Sequence, residues 1–173
     1  DADFKAVLNN GDINLCDRFG LWLATGRRAK RITGVDFMLD LCVLAECENK
    51  SIYLLGSGSE DVVEKTACVL RQKFPLLRIV GKNKGPDIRY SNIQYLSDDN
   101  ESTIHDIIVN APDILFVAFG HGKQEKWIAH NLRDLPSVKI AMGVGGAFDF
   151  ISGKVRRAPK WMKEIGLEWM WRL

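Results

Sequence analysis

Apolar runs and amphipathic stretches alternate along most of the chain. Runs dominated by apolar residues cover 51–55, 77–80, 114–119 and 139–144, and a glycine follows each one. Runs of this length, bounded by turn residues, predict short buried strands. Between them the apolar residues recur at helical spacing over 36–48, which opens on an acidic residue, and 60–74, which Pro75 halts. The same spacing covers 102–110, which Pro112 halts, and 123–132. Strand followed by helix, repeated, predicts an α/β chain with a mainly parallel sheet and helices on both faces, an α/β/α arrangement in three layers. The polar segment 87–100, with Pro86 before it, reads as a surface excursion. A last amphipathic helix is expected from Pro159, with Trp161, Met162, Ile165, Trp169 and Leu173 on one face and Leu167 and Trp171 on the other.

Composition narrows this picture. At 173 residues and 46% hydrophobic content, the chain suits one domain that buries about 70% of its unfolded surface. It has no repeat period, and no apolar stretch approaches the roughly 18 residues that a membrane span needs. A net charge of +2 argues against a general nucleic-acid binder, but the charge is unevenly distributed. Residues 154–173 hold six basic and two acidic side chains, so this segment is +4 and the rest is −2. Three of the five tryptophans lie in the last thirteen residues, among Lys and Arg. A basic, aromatic tail suits an anionic membrane interface, a partner surface, self-association, or packing on its own core. The four cysteines, Cys16, Cys42, Cys47 and Cys68, form no C-x-x-C pair and lie in or beside apolar runs. That predicts reduced, buried thiols and no zinc site. The first residues, Asp1-Ala2-Asp3-Phe4, carry neither a start methionine nor a signal pattern, so a chain beginning inside a longer protein is expected.

Ligands of a parallel sheet bind beyond the carboxyl ends of the strands, where loop amides and helix starts attract phosphate. Four glycine-bearing loops fall there: Gly56-Ser57-Gly58-Ser59, 81–85 from Gly81 to Gly85, 120–125, and Gly143-Val144-Gly145-Gly146. Together they predict a ligand with a diphosphate. The first has the G-x-G of a nicotinamide site, but Asp61 stands where that fingerprint needs Gly or Ala. Gly120, Lys123, Gln124 and Glu125 put a cation, an amide and a carboxylate at a helix start, as a sugar-nucleotide site or a solvated first turn would have. His121 is either a general acid or base or a turn histidine. Asp149 precedes Lys154, Arg156 and Arg157, which form an ion-pair network or a forked grip on a diphosphate. Asp17 follows the apolar run 13–16, as either a capping residue or a base at a strand end. Arg31 and Asp36 flank a turn into a helix, where Asp36 caps, lines a pocket, or does both.

The ordered motifs resemble one family. Asp17-Arg18-Phe19-Gly20, Arg31-Ile32-Thr33-Gly34-Val35-Asp36, Gly120 to Glu125, Gly143 to Asp149, Gly153 to Pro159 and Gly166-Leu167-Glu168-Trp169 follow one another as in the WecG/TagA/CpsF glycosyltransferases, glycosyltransferase family 26. The most specific parts are K-Q-E-K-W-I, G-V-G-G-A-F-D and G-K-V-R-R-A-P. The resemblance implies one Rossmann-like domain over 1–173 and an inverting, metal-independent bacterial enzyme with no cofactor. Such an enzyme moves N-acetylmannosamine or a related sugar from a UDP donor to polyprenyl-diphosphate-linked N-acetylglucosamine. It works at the cytoplasmic face of the membrane, toward wall teichoic acid or related polysaccharides. The family's base falls on Asp17. Arg31, Asp36, Gly56, Gly81, Gly120, Lys123, Gln124, Glu125, Gly145, Gly146, Asp149, Arg156 and Arg157 are the expected binding positions. Arg18 replaces the family's usual glycine, and His121-Gly122 replaces Ala-Pro. An upstream T-P-N segment and a basic membrane-docking appendage of relatives are expected to lie outside this stretch. The competing readings are a non-catalytic nucleotide-sugar-binding or scaffold relative and an NAD-dependent oxidoreductase.

Overall fold

The computed structural model describes residues 2–15, 32–86 and 98–156. Within them, four strands form one parallel sheet: β1 (Ser51–Gly56), β2 (Arg78–Asn83), β3 (Ile114–Ala118) and β4 (Ile140–Gly143), in the order β2-β1-β3-β4. The described helices are α1 (Ala2–Asn9), α2 (Gly34–Cys47), α3 (Glu60–Lys73), α4 (Asp98–Asn110), α5 (Lys123–Asn131) and α6 (Ala147–Ile151). A short 3-10 turn, Leu132–Asp134, follows α5.

The strict alternation of a strand explains the three layers. Ile52 and Leu54 of β1 and Ile114, Phe116 and Ala118 of β3 face the cluster formed with α2, α3 and α6. Tyr53, Leu55, Leu115 and Val117 point the other way, against Ile107 of α4, Trp127 of α5 and Leu135. The two central strands are buried along their whole length, and each fully buried aliphatic side chain contributes about 1.5–3 kcal/mol. The three-layer α/β/α expectation holds over the described residues.

The sequence reading needs correction in several places. The second strand continues through Gly81 and Lys82 to Asn83, so the loop expected over 81–85 starts later. Gly81 pairs with Tyr53 just past a register shift, and a Cβ there would lie 2.3 Å from the Tyr53 ring. The glycine therefore makes room for a buried aromatic. Helix α4 begins at Asp98, inside the stretch read as an excursion, and Asn100 is buried there. It accepts a 2.7 Å hydrogen bond from Trp127 Nε1, which ties the start of α4 to α5. Helices α1 and α6 carry no apolar period long enough to be read from sequence. Cys42 is buried, and burial pushes its thiol up to about 12. Cys47 and Cys68 are exposed, because they lie on helix positions turned away from the sheet. Cys16 and the helix expected from Pro159 lie outside the described residues.

At the amino edge of the sheet, Asp113 fastens β3 to β1. Its Oδ2 accepts from Ser51 N at 2.8 Å and from Ser51 Oγ at 2.9 Å. These bonds, the backbone one foremost, hold its carboxyl below its ordinary value. A depressed folded-state pKa means stability that is present above the unfolded value of about 4 and is lost as pH falls through the folded value. Asp113→Asn is thus expected to lower Tm by a few degrees at pH 7. The gap to wild type should close on acidification, and a pH-independent gap in thermal melts would count against this account.

Candidate functional site at the carboxyl edge of the sheet

Chain order reverses at β1 and β3, and the crevice outside their carboxyl ends is where such sheets hold ligands. The loop after β1 is tied to its neighbours by backbone. Ser57 N donates to Ala118 O at 2.8 Å, and Gly58 N donates to Lys84 O at 3.2 Å. Gly56, at φ +115°, lies so close to β3 that a Cβ would sit 2.7 Å from Ala118 C and O. Gly85 leaves room for the Phe119 ring in the same way. Helix α3 then opens with Glu60 and Asp61, and exposed Asp61 pairs with Lys65 at 2.8 Å. Two acids in a first turn oppose a phosphate there. Gly56 thus lets β1 approach β3, and this close packing with the acidic first turn weighs against a nicotinamide dinucleotide at the G-x-G turn.

The two following loops form a different surface. Glu125 Oε2 reaches back from α5 to accept from Gly122 N at 2.7 Å, the half of a capping box that a glycine cap allows. Gln124 Nε2 donates to Glu125 Oε1 at 3.0 Å, and Gln124 Oε1 accepts from Gly145 N at 2.9 Å. Gly145 is held at φ +53°, and Gly146 begins the turn into α6. From α6, Asp149 Oδ1 sits 3.3 Å from Lys154 Nζ, and Asp149 O accepts from Val155 N at 3.0 Å. Asp149 Oδ1 is buried and, among the described residues, has no hydrogen bond besides this ion pair. The Thr66 hydroxyl of α3, 3.1 Å from Phe148 O and 2.7 Å from Val62 O, anchors α6 from below. The motifs K-Q-E, G-V-G-G-A-F-D and G-K-V-R therefore lie side by side, carrying Lys123, Lys154 and Arg156. A Cβ would meet nothing within 4 Å at Gly120 or Gly145, so these turns are open on their outer side. Left-handed glycine turns with cations alongside can receive an anionic, diphosphate-sized group.

Asp36 is not brought into contact with these two loops by any hydrogen bond among the described residues; its neighbours Val35 and Leu39 line a cavity with Val69, Lys73, Phe150 and Ile151. Asp36 is the third residue of α2. Its Oδ2 accepts from Thr33 Oγ1 at 2.6 Å, and its own N–H donates to that hydroxyl at 3.2 Å. The cap of α2 is therefore Thr33, not Asp36 as weighed from sequence; Asp36 sits inside the first turn and supports the cap through the Thr33 hydroxyl. Asp17, Arg31 and Arg157 lie outside the described residues. Sequence reasoning missed Phe4, whose ring packs edge-on against exposed His121 with centroids 4.9 Å apart, bringing α1 against the start of α5. It also missed Tyr53, fully buried under Gly81, whose hydroxyl donates to Asp106. Burial first, then that carboxylate, raises the Tyr53 pKa far above its ordinary value. No single-sequence signal marks either contact, since each joins residues more than fifty positions apart.

The sequence model described as "Glycosyl transferase WecG/TagA/CpsF family" matches residues 1–173. A protein of Bacillus subtilis (strain 168) named N-acetylglucosaminyldiphosphoundecaprenol N-acetyl-beta-D-mannosaminyltransferase is 34% identical, over 100% of this chain and 64% of its own length. Proteins of the same name from Bacillus spizizenii and Staphylococcus aureus are 33% and 28% identical, over 98% of this chain and 63% of their own lengths. The chain thus spans just under two thirds of these relatives.

Proposed function

The chain belongs to the glycosyl transferase WecG/TagA/CpsF family, and on that premise we propose that it moves N-acetylmannosamine from a UDP donor to N-acetylglucosamine on a polyprenyl diphosphate. In this reading the Asp17 carboxylate takes the proton of the acceptor hydroxyl. The freed oxygen attacks the anomeric carbon from the side opposite UDP, and the carbon–oxygen bond to UDP breaks. UDP leaves with the bonding pair, and the configuration inverts. Charge growing on the leaving diphosphate is met by Lys123, Arg156 and, from outside the described residues, Arg31 and Arg157, since the Gly122 and Gly145 N–H groups are given to Glu125 and Gln124. In this proposal those cations take the place of a metal ion. Gln124, Glu125, Gly145, Gly146 and Asp149 shape the donor side.

The observation that carries this reading is the Gln124–Gly145 bond, which brings two of the three most specific motifs, K-Q-E-K-W-I and G-V-G-G-A-F-D, onto one open surface. The acceptor lipid requires a membrane surface. No helix of the described residues is long and apolar enough to cross one, so docking by the basic, aromatic segment after Gly153 is part of the proposal. Wall teichoic acid or a related surface polysaccharide is the product class.

Calorimetric titration with UDP, UDP-N-acetylglucosamine, UDP-N-acetylmannosamine and NAD, each with and without EDTA, tests the ligand class. Binding of the UDP compounds that is insensitive to EDTA, with no response to NAD, is expected. Binding of NAD alone, or silence toward every UDP compound in the full-length protein, would overturn the reading.

A further inference from the structure

We propose that Gln124 is a positioning residue, which locks the Gly145 turn to the start of α5 and acts on the donor through that turn, not by touching it. The inference rests on the reading of this edge as a UDP-sugar site. Gln124 is only 5% exposed, although it is the second residue of a helix at the rim. Both ends of its amide are occupied within the protein, the oxygen by Gly145 N and the nitrogen by Glu125 Oε1. Glu125 passes the connection to Gly122 N. One run of hydrogen bonds therefore joins two glycine turns whose own φ values, +82° at Gly122 and +53° at Gly145, leave many orientations open.

Gly143 supplies an independent sign. Its backbone has no left-handed φ, so conformation does not require glycine there. A Cβ would lie 2.6 Å from Gln124 Nε2 and 2.9 Å from its Cδ and Cγ. The end of β4 is thus cut away to seat this amide. A side chain placed to grip a ligand would have a polar atom exposed at the rim, whereas this one is packed into a slot and bonded at both ends. The charged and titratable groups on the elements packed here are Lys123, Glu125, Lys126 and His130 on its own helix, His121 in the turn before it, Asp3 and Lys5 on α1, and the Asp149–Lys154 pair on the neighbouring segment.

Gln124→Leu and Gln124→Glu in the full-length protein test this, with UDP-N-acetylglucosamine as the probe and amide exchange at Gly145 as a readout that needs no ligand. In Gln124→Leu, Gly145 exchange should rise about tenfold, and affinity should fall about tenfold, as expected for one lost bond. In Gln124→Glu, two carboxylates meet at the Glu125 contact, so one proton is held to raised pH. The neutral acid can donate to Glu125 and accept from Gly145 as the amide does. Affinity relative to wild type should therefore recover to within about threefold at pH 5.5 and fall about tenfold at pH 8. A purely structural role would lower Tm, with the same recovery at pH 5.5, and leave probe affinity of the folded variants at the wild-type level at both pH values. Unchanged Gly145 exchange in Gln124→Leu would overturn the proposal, and so would a Gln124→Glu protein that binds like wild type at both pH values. If the wild type ignores the probe, the functional reading fails, and Gly145 exchange still decides the positioning role.

Discussion

Asp17→Asn is expected to reduce sugar transfer by about 10²–10⁴-fold, the range contributed by a positioned general base. Affinity for UDP should stay within about twofold. Asn keeps the shape and one acceptor oxygen of Asp but cannot take the acceptor's proton at neutral pH. The loss should therefore fall on kcat, with donor binding intact. In the wild type, kcat/KM should decline on acidification as the carboxylate protonates, and this limb should be missing from the residual activity of the variant. Single-turnover transfer to a soluble N-acetylglucosaminyl diphospholipid analogue, with calorimetry of UDP, gives both numbers. Turnover near the wild-type level would remove Asp17 from the base role. Loss of UDP binding would make Asp17 a donor-site residue instead. A wild type that binds UDP and never turns over would favour the scaffold reading.

The parts of this molecule that were legible in sequence are those that short-range pattern determines. Strands β1 and β3 are continuous apolar runs because both of their faces are covered, so their extents follow from composition alone. Sequence pattern ends β2 at Val80, because Gly81-Lys82-Asn83 offers no apolar signal. It extends because its backbone pairs with Leu54 and Leu55. Helix α6 has five residues and depends on Thr66 beneath it, which is a tertiary cause. The glycine loops show the same division. Sequence puts all of them at the ligand edge, yet only contact geometry separates Gly56, Gly81, Gly85 and Gly143, whose missing Cβ is replaced by a neighbour, from Gly58, Gly120 and Gly145, which face open space. The K-Q-E motif was identified as chemistry-bearing from its residue types. The work of Gln124 depends on a partner 21 positions away that no local pattern reveals.

That division of the glycines leads to the largest expected stability effect, at Gly56. Gly56→Ala should destabilise the fold by about 2–5 kcal/mol, from left-region strain together with overpacking. The φ of +115° is costly for any L side chain, and the new Cβ would press on Ala118 C, O and N at 2.7–2.9 Å. These are backbone atoms of a fully buried central strand, so no rotamer change relieves the clash. Relief would require β1 and β3 to part at their carboxyl ends, which also breaks the 2.8 Å bond from Ser57 N to Ala118 O. Gly58→Ala is the matched control two residues on. Its φ of +64° is likewise left-handed, but nothing lies within 4 Å of the added carbon, so about 1–2 kcal/mol is expected. Urea unfolding of both variants should show unequal losses at similar m-values. Equal losses would mean that backbone conformation alone accounts for Gly56. A Gly58 variant that lost UDP affinity at unchanged stability would return the first glycine loop to the ligand surface, contrary to the acidic first turn that follows it.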